Sequence, residues 1–179
     1  MKAALLLIDF INDFEFDGGE RLFPRALEAA KATARLKRRA ESAGVPVVYC
    51  NDNFGRWRSD FRALLERCLE EPVRGRPIAE MLRPGKDDYF VLKPKHSGFL
   101  SSALDVLLTH LEVDTLILTG VAGDFCVLFT AHDAYMRGFD LLVPRDCIAS
   151  DPDEDNRWAL AHLQKTCKAG TGPSAEIGF

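Results

Sequence analysis

The sequence predicts one α/β domain, a three-layer α/β/α sandwich with a doubly wound, mostly parallel sheet of about six strands, Rossmann-like in its layering. Three observations carry this. Short apolar runs alternate with longer stretches of helical periodicity along the 179 residues, which is the pattern of βαβ units. The runs are apolar at successive positions and not at every second one, as in strands covered on both faces. The length suits one domain and is too short for two with a linker, so residues 1–179 read as a single unit.

The elements follow in order. Ala3–Ile8 (AALLLI) is the first buried strand. Pro24–Ala43 is a helix with Phe23, Leu27, Ala30 and Ala34 on one side, Lys31, Arg35, Arg38 and Arg39 on a solvated face, and Gly44 as a stop. Val45–Cys50 (VPVVYC) is the second strand, and Ser59–Leu69 repeats Phe61, Leu64, Leu65 and Cys68 at helical spacing. Tyr89–Leu92 is a short third strand, followed by a helix over Ser101–Leu111. Thr115–Thr119 is the fourth strand, Gly123–Arg137 a helix ended by Gly138, and Phe139–Val143 the fifth strand. Asp151 and Pro152 read as N-cap and first-turn proline of a helix running to about Cys167. The final ten residues show no pattern and are expected to be a tail or an edge strand. The span from about Asn51 to Asp88 is the least regular and is expected to carry an inserted loop. Right-handed crossovers then set helices on both faces of the sheet.

Composition narrows the function classes. Lys and Arg number 23 and Asp and Glu 27, a net charge of −4, which opposes nucleic-acid binding. No apolar run approaches the roughly 20 residues of a membrane span, and Asp9 interrupts the N-terminal run before it reaches the length of a signal peptide. The expectation is a cytoplasmic protein acting on a small molecule, with no nucleic-acid or membrane partner. Five cysteines without a C-x-x-C pair form neither a disulfide framework nor a zinc ribbon. Nothing in the pattern asks for a cofactor or a metal.

Open α/β sheets bind ligands beyond the carboxyl ends of their strands, where the strand order reverses. Asp9 follows the first predicted strand, Asn51 and Asp52 the second, Lys93 the third, and Gly120–Gly123 the fourth, with Cys126 just beyond in the first turn of a predicted helix. Unpaired N–H groups and the helix dipole there favour a thiolate, the nucleophilic form of cysteine. N–H groups of the same glycine-rich turn could hold an oxyanion. Asp9 could take the thiol proton, with Lys93 holding Asp9. Taken singly, each residue also has a structural reading, as a core thiol, a turn aspartate or a solvated lysine.

Three stretches add a resemblance: LLLIDFINDF, LKPKHSGF and LILTGVAGDFCVLFTAHDAYMRGFDLLVPRDC, in that order. Over residues 3–168 the chain resembles the isochorismatase-like cysteine hydrolases. The resemblance implies the isochorismatase-like hydrolase fold, an Asp9–Lys93–Cys126 catalytic triad, a cis peptide at Val121–Ala122, and an oxyanion hole from the backbone N–H groups of Ala122 and Cys126. It also implies a homo-oligomer. The expected reaction is hydrolysis of a small amide, carbamoyl or ureido C–N bond through a thioester.

Departures from the family pattern narrow the substrate. Family nicotinamidases hold a metal with an aspartate and histidines after the second strand; here Asp52 stands in CNDNFGRWRSDF, but no histidine precedes His96, so that metal site is not expected. The enzymes that give the family its name cleave a vinyl ether and lack a cysteine at the position of Cys126, which favours C–N hydrolysis here over an isochorismatase-type reaction. Phe14, Phe54, Trp57, His96 and Phe125 are candidate substrate contacts. Arg56, Arg58 and Arg62 could meet a carboxylate or form a solvated helix face. Asn12 and Asp13 are expected to support Asp9. A thiol-based redox or sensor protein and a catalytically silent binding module are the competing readings.

Overall fold

Each apolar run becomes a strand with a helix layer on either side, because successive side chains point to opposite faces of the sheet. In β1 (Ala3–Ile8), Leu5 and Leu7 enter one core and Ala4, Leu6 and Ile8 the other, all of them buried. β2 (Val47–Asp52) sends Val47 and Tyr49 to the first core and Val48 and Cys50 to the second. The computed structural model describes residues 2–52 and 60–179.

The first core is roofed by α1 (Gly19–Ser42), α2 (Phe61–Glu70) and α3 (Arg76–Met81); the second by α4 (Leu104–His110), α5 (Leu128–Met136) and α6 (Asp153–Cys167). Full burial of one leucine side chain stabilises by about 1.5–3 kcal/mol, and several such residues lie in each core. With β3 (Tyr89–Lys93), β4 (Thr115–Val121) and β5 (Asp140–Leu142), the sheet order is β3-β2-β1-β4-β5. All the pairings among described residues are parallel. A sixth strand, β6 (Ile148–Ala149), pairs with the end of β4 beyond β5. The chain fills β1, β2 and β3 outward on one side and β4 and β5 on the other, so the order reverses between β1 and β4.

The differences from the predicted elements have local causes. β2 begins at Val47 because the Val45 N–H closes α1 on the Ala40 carbonyl. It extends to Asp52 because Asn51 and Asp52 pair with Leu92 and Lys93. Likewise β4 runs on to Val121 because Gly120 and Val121 pair with Ile148 and Ala149. α1 starts a turn before Pro24, from Gly18 in the left-handed conformation (φ 87°).

Much of the expected inserted loop is helical. The Asp60 carboxylate caps α2 at the Ala63 N–H, and α3 buries Ile78 and Ala79. The Asp151–Pro152 peptide is cis, and Pro152 itself is the N-cap of α6, in place of the predicted Asp151 cap with a first-turn proline. The predicted Gly123–Arg137 helix is split: Gly123–Val127 is a π-helical turn, and α5 follows it. The C-terminal residues do pair at the sheet edge, through a parallel bridge between Leu142 and Gly170.

Candidate active site

The reversal of strand order places the ends of β1 and β4 side by side, and the site is built there. Asp9 follows β1 in a left-handed conformation (φ 53°), a region that aspartate tolerates better than most residues. Lys93 ends β3, two strands away from β1 at about 4.8 Å per step, and its long side chain spans that gap. It points to the α5 side because Val91, two residues earlier, packs in the same core as Val127. Cys126 is the fourth residue of the π-helical turn after β4.

Residues distant in sequence thus converge. Lys93 Nζ lies 2.8 Å from Asp9 Oδ2 and 3.5 Å from Cys126 Sγ, and the Asp9 carboxylate and the Cys126 thiol are close enough to act on one another's protonation. Lys93 donates to the Lys95 carbonyl at 3.2 Å, and the Asp52 N–H donates to Asp9 Oδ1 at 2.7 Å. Asp9 is 5% exposed and Lys93 0%, so both charges are compensated inside the protein.

Burial sets the protonation of the trio. It pushes the Asp9 carboxyl up, against the pull of the Lys93 ammonium. It pushes the Cys126 thiol up too, helped by the Asp9 charge and opposed by Lys93. Burial works against the Lys93 charge, yet Asp9 and Cys126 outweigh it and the ammonium is held charged. At rest the Lys93 ammonium is charged and the Cys126 thiol neutral. In the π turn, desolvation and the neighbouring carboxylate outweigh the pull of Lys93 on the thiol.

The surroundings of Cys126 are aromatic on one side. The rings of His96 and Phe125 meet edge to face with centroids 4.4 Å apart, and Phe129 lies 5.7 Å from each. Phe125 and Phe129 are about half exposed and His96 is exposed. Phe14, expected as a substrate contact, is instead fully buried in the first core, packed on Phe16 and Phe23, because its ring is taken up by the α1 side of the sheet. Arg62 lies on the exposed side of α2. Phe54, Trp57, Arg56 and Arg58 lie outside the described residues.

Asn12 and Asp13 brace the turn after Asp9 and do not reach its carboxylate among the described contacts. Asn12 Oδ1 accepts from the Phe14 N–H at 2.8 Å, and Asp13 pairs with Arg67 Nε at 2.9 Å. The support for Asp9 comes instead from the Asp52 N–H, a backbone donor that no side-chain pattern signals. The Asp52 carboxylate lies 3.6 Å from Lys93 Nζ, and no imidazole precedes residue 96 in the sequence. A carboxylate already facing an ammonium, followed in sequence by no histidine before residue 96, does not fit a nicotinamidase-type metal centre.

The Val121–Ala122 peptide is cis, as the resemblance implied, and leads into the π turn. Two features went unread in the sequence. The Asp124 N–H of that turn is held by Ser150 Oγ at 3.0 Å. Thr130, fully buried, donates to the Cys126 carbonyl at 2.7 Å and accepts from the Gly98 N–H at 3.0 Å. It ties the loop that carries His96 to the backbone of Cys126. A threonine at i+4 from the cysteine was the available signal, but its partner on another loop is visible only in three dimensions.

Comparison with known proteins agrees with this architecture. The isochorismatase domain model matches residues 3–172. An uncharacterized isochorismatase family protein of Bacillus subtilis, YaaI, is 45% identical over 161 residues, covering 90% of this chain and 88% of the relative. A maleamate amidohydrolase of Pseudomonas putida is 30% identical over 173 residues, 89% of this chain and 79% of that one. Among solved structures, N-carbamoylsarcosine amidase from Thermoplasma acidophilum superposes with a TM-score of 0.79 at 28% identity, covering 100% of both chains. No helix among the described residues is long and apolar enough to cross a membrane. With a family match over nearly its whole length and the same layered fold, the chain belongs to the isochorismatase family of hydrolases.

Proposed function

We propose that the protein hydrolyses a C–N bond of a small amide, carbamoyl or ureido compound, with Cys126 as nucleophile, Asp9 as proton carrier and Lys93 as their shared counter-ion. The observation that carries this reading is the position of Lys93 Nζ, 2.8 Å from Asp9 Oδ2 and 3.5 Å from Cys126 Sγ. From there one cation serves two anions in turn. Before proton transfer it faces the Asp9 carboxylate, and afterwards the Cys126 thiolate. The net charge of the buried trio is unchanged, so the desolvation cost that makes an isolated buried ion expensive does not arise.

The steps follow from that exchange. Asp9 takes the Cys126 proton, and the thiolate attacks the carbonyl carbon. The backbone N–H groups of Ala122 and Cys126 receive the oxyanion. Asp9 then gives its proton to the departing nitrogen as the C–N bond breaks, leaving a thioester. Water attacks the thioester, Asp9 takes its proton and returns it to the sulfur, and the acid product leaves. Phe125 and His96 wall the acyl side, and Phe14 supports the turn beneath. The names of relatives, maleamate amidohydrolase and N-carbamoylsarcosine amidase, support the substrate class.

The test is release of ammonia or amine over a panel of small amides, carbamoyl and ureido compounds, run beside Cys126→Ala. Turnover of at least one compound, lost in the variant, is the expected result. Undiminished turnover in Cys126→Ala would overturn the reading. Cleavage of a vinyl ether with no amide turned over would replace it with an isochorismatase-type reaction.

A further inference from the structure

We propose that His132 of α5 and His162 of α6 form a binding site for one late first-row divalent cation, of the zinc or nickel type, that staples the two helices together. The site lies outside the Asp9–Lys93–Cys126 cluster and does not depend on the reading of it.

The two Nε2 atoms lie 3.2 Å apart, and the ring centroids are 5.1 Å apart at 61°. Two imidazole nitrogens on one tetrahedral ion, each at about 2.0–2.1 Å, sit roughly 3.3 Å from one another. The spacing of this hydrogen-bonded pair thus matches that of two ligands on one ion.

The surrounding hydrogen bonds accommodate a His132 tautomer whose Nε2 is bare. The Thr166 hydroxyl donates to the His162 carbonyl at 2.8 Å, which uses its one proton. The Cys167 thiol, 3.5 Å from Thr166 Oγ1, is then the donor of that pair. Its sulfur keeps lone pairs for the Nδ1–H of His132, 3.4 Å away. In this arrangement His132 Nε2 is bare and accepts the His162 Nε2–H across the 3.2 Å contact, and binding a metal moves that proton to His162 Nδ1 or releases it to solvent. A metal-ligating histidine commonly has its second nitrogen held in this way, by an outer partner that fixes the tautomer.

Both rings are half-buried, which gives an ion a path from solvent and leaves positions for water. No group of three or more His, Cys, Asp or Glu side chains among the described residues is arranged for a metal, so the protein supplies two ligands here. Imidazole donors without a carboxylate select zinc, copper or nickel over magnesium or calcium. Trp158 stacks on the His162 ring, with centroids 5.1 Å apart at 16°, and so reports on the site.

The experiment uses the full chain carrying Cys126→Ala, which removes the active-site thiol as a competing ligand. Zn²⁺ and Ni²⁺ are titrated separately, followed by calorimetry and by tryptophan fluorescence. One equivalent of each ion is expected to bind saturably, Ni²⁺ is expected to quench emission, and the quench should vanish in Trp158→Phe. His132→Gln and His162→Gln should each abolish the saturable binding, and with it the metal-dependent rise in melting temperature. Cys167→Ala should weaken binding by about 10-fold or more without abolishing it. Melting in chelator checks that each variant is folded, and the asparagine variant at the same histidine replaces a glutamine variant that is not. Failure of the parent chain to bind at millimolar metal, or binding that survives loss of either histidine, would overturn the proposal.

Discussion

Replacing Asp9 with asparagine separates two effects that a simple loss of activity would merge. The Asp9 charge is part of what pushes the Cys126 thiol up, while Lys93 pulls it down. In Asp9→Asn the cation remains and the anion is gone, so the thiol pKa falls and alkylation of Cys126 by iodoacetamide at neutral pH is expected to speed up. Amide turnover is expected to drop by about 10²–10⁴-fold, the usual worth of a positioned proton carrier. Mass spectrometry of residue 126 and steady-state kinetics read the two outcomes, and slower alkylation would refute the charge argument. Lys93→Met should do the reverse to the thiol. It also leaves a buried carboxylate unpaired, at about 3–5 kcal/mol, measurable by urea unfolding. In the parent enzyme burial raises the Asp9 carboxyl above the ordinary aspartate value of 3.8. Below that raised pKa it is protonated and cannot accept the thiol proton, so the acid limb of kcat/KM is expected above pH 3.8.

The strand-to-turn unit that carries Cys126 rests on close backbone approaches. Gly120 has φ +133°, and a Cβ there would stand 2.1 Å from the Ile8 carbonyl oxygen. Gly120→Ala is expected to cost about 1–3 kcal/mol for the backbone conformation with a steric cost of similar size, read as a lowered urea midpoint. Thr130 makes a subtler link. Thr130→Val keeps the shape but leaves the Gly98 N–H and the Cys126 carbonyl without their hydroxyl partner, about 1–3 kcal/mol. If the hydroxyl positions Cys126, kcat falls with KM little changed, and Thr130→Ser restores both kcat and stability. A valine variant equal to the parent in kcat would show that the tie is only structural. At this scale the sequence was legible where periodicity was long, as in α1, and failed where tertiary contacts set the geometry. The π turn is an example: its residues carry an ordinary helical pattern, but the Asp124 N–H is taken by Ser150 from another loop.

Across the whole molecule, buried neutral thiols and held ammonium groups give stability a common pH dependence. Burial pushes Cys50 and Cys68 up to about 12 and Cys147 to about 11, from an ordinary thiol value of 9.0. A group whose folded pKa is raised contributes stability that is full below its unfolded pKa and is lost as pH rises toward the folded one. For these thiols the loss begins near pH 9. Lys93 and Lys37 are raised above 10.5 and add to it further up. The melting temperature is therefore expected to fall steeply from pH 9 upward, in a reducing buffer that keeps oxidation out of the measurement. A flat profile to pH 11 would contradict the burial of these groups.

Local chemistry along the chain decided the layers. Strand-length apolar runs can bury both faces only between helices, so the parallel α/β sandwich was readable, as were the polar residues that end β1, β3 and β4. Distances between those ends were not readable. Asp9 and Cys126 are separated by more than a hundred residues, and the reversal of strand order between β1 and β4 is what makes them neighbours. Lys93 reaches them only because the β2–β3 register leaves it at the strand end on the α5 face. The protonation of the trio also belongs to the folded state, because desolvation is a property of the assembled interior and no residue type carries it alone.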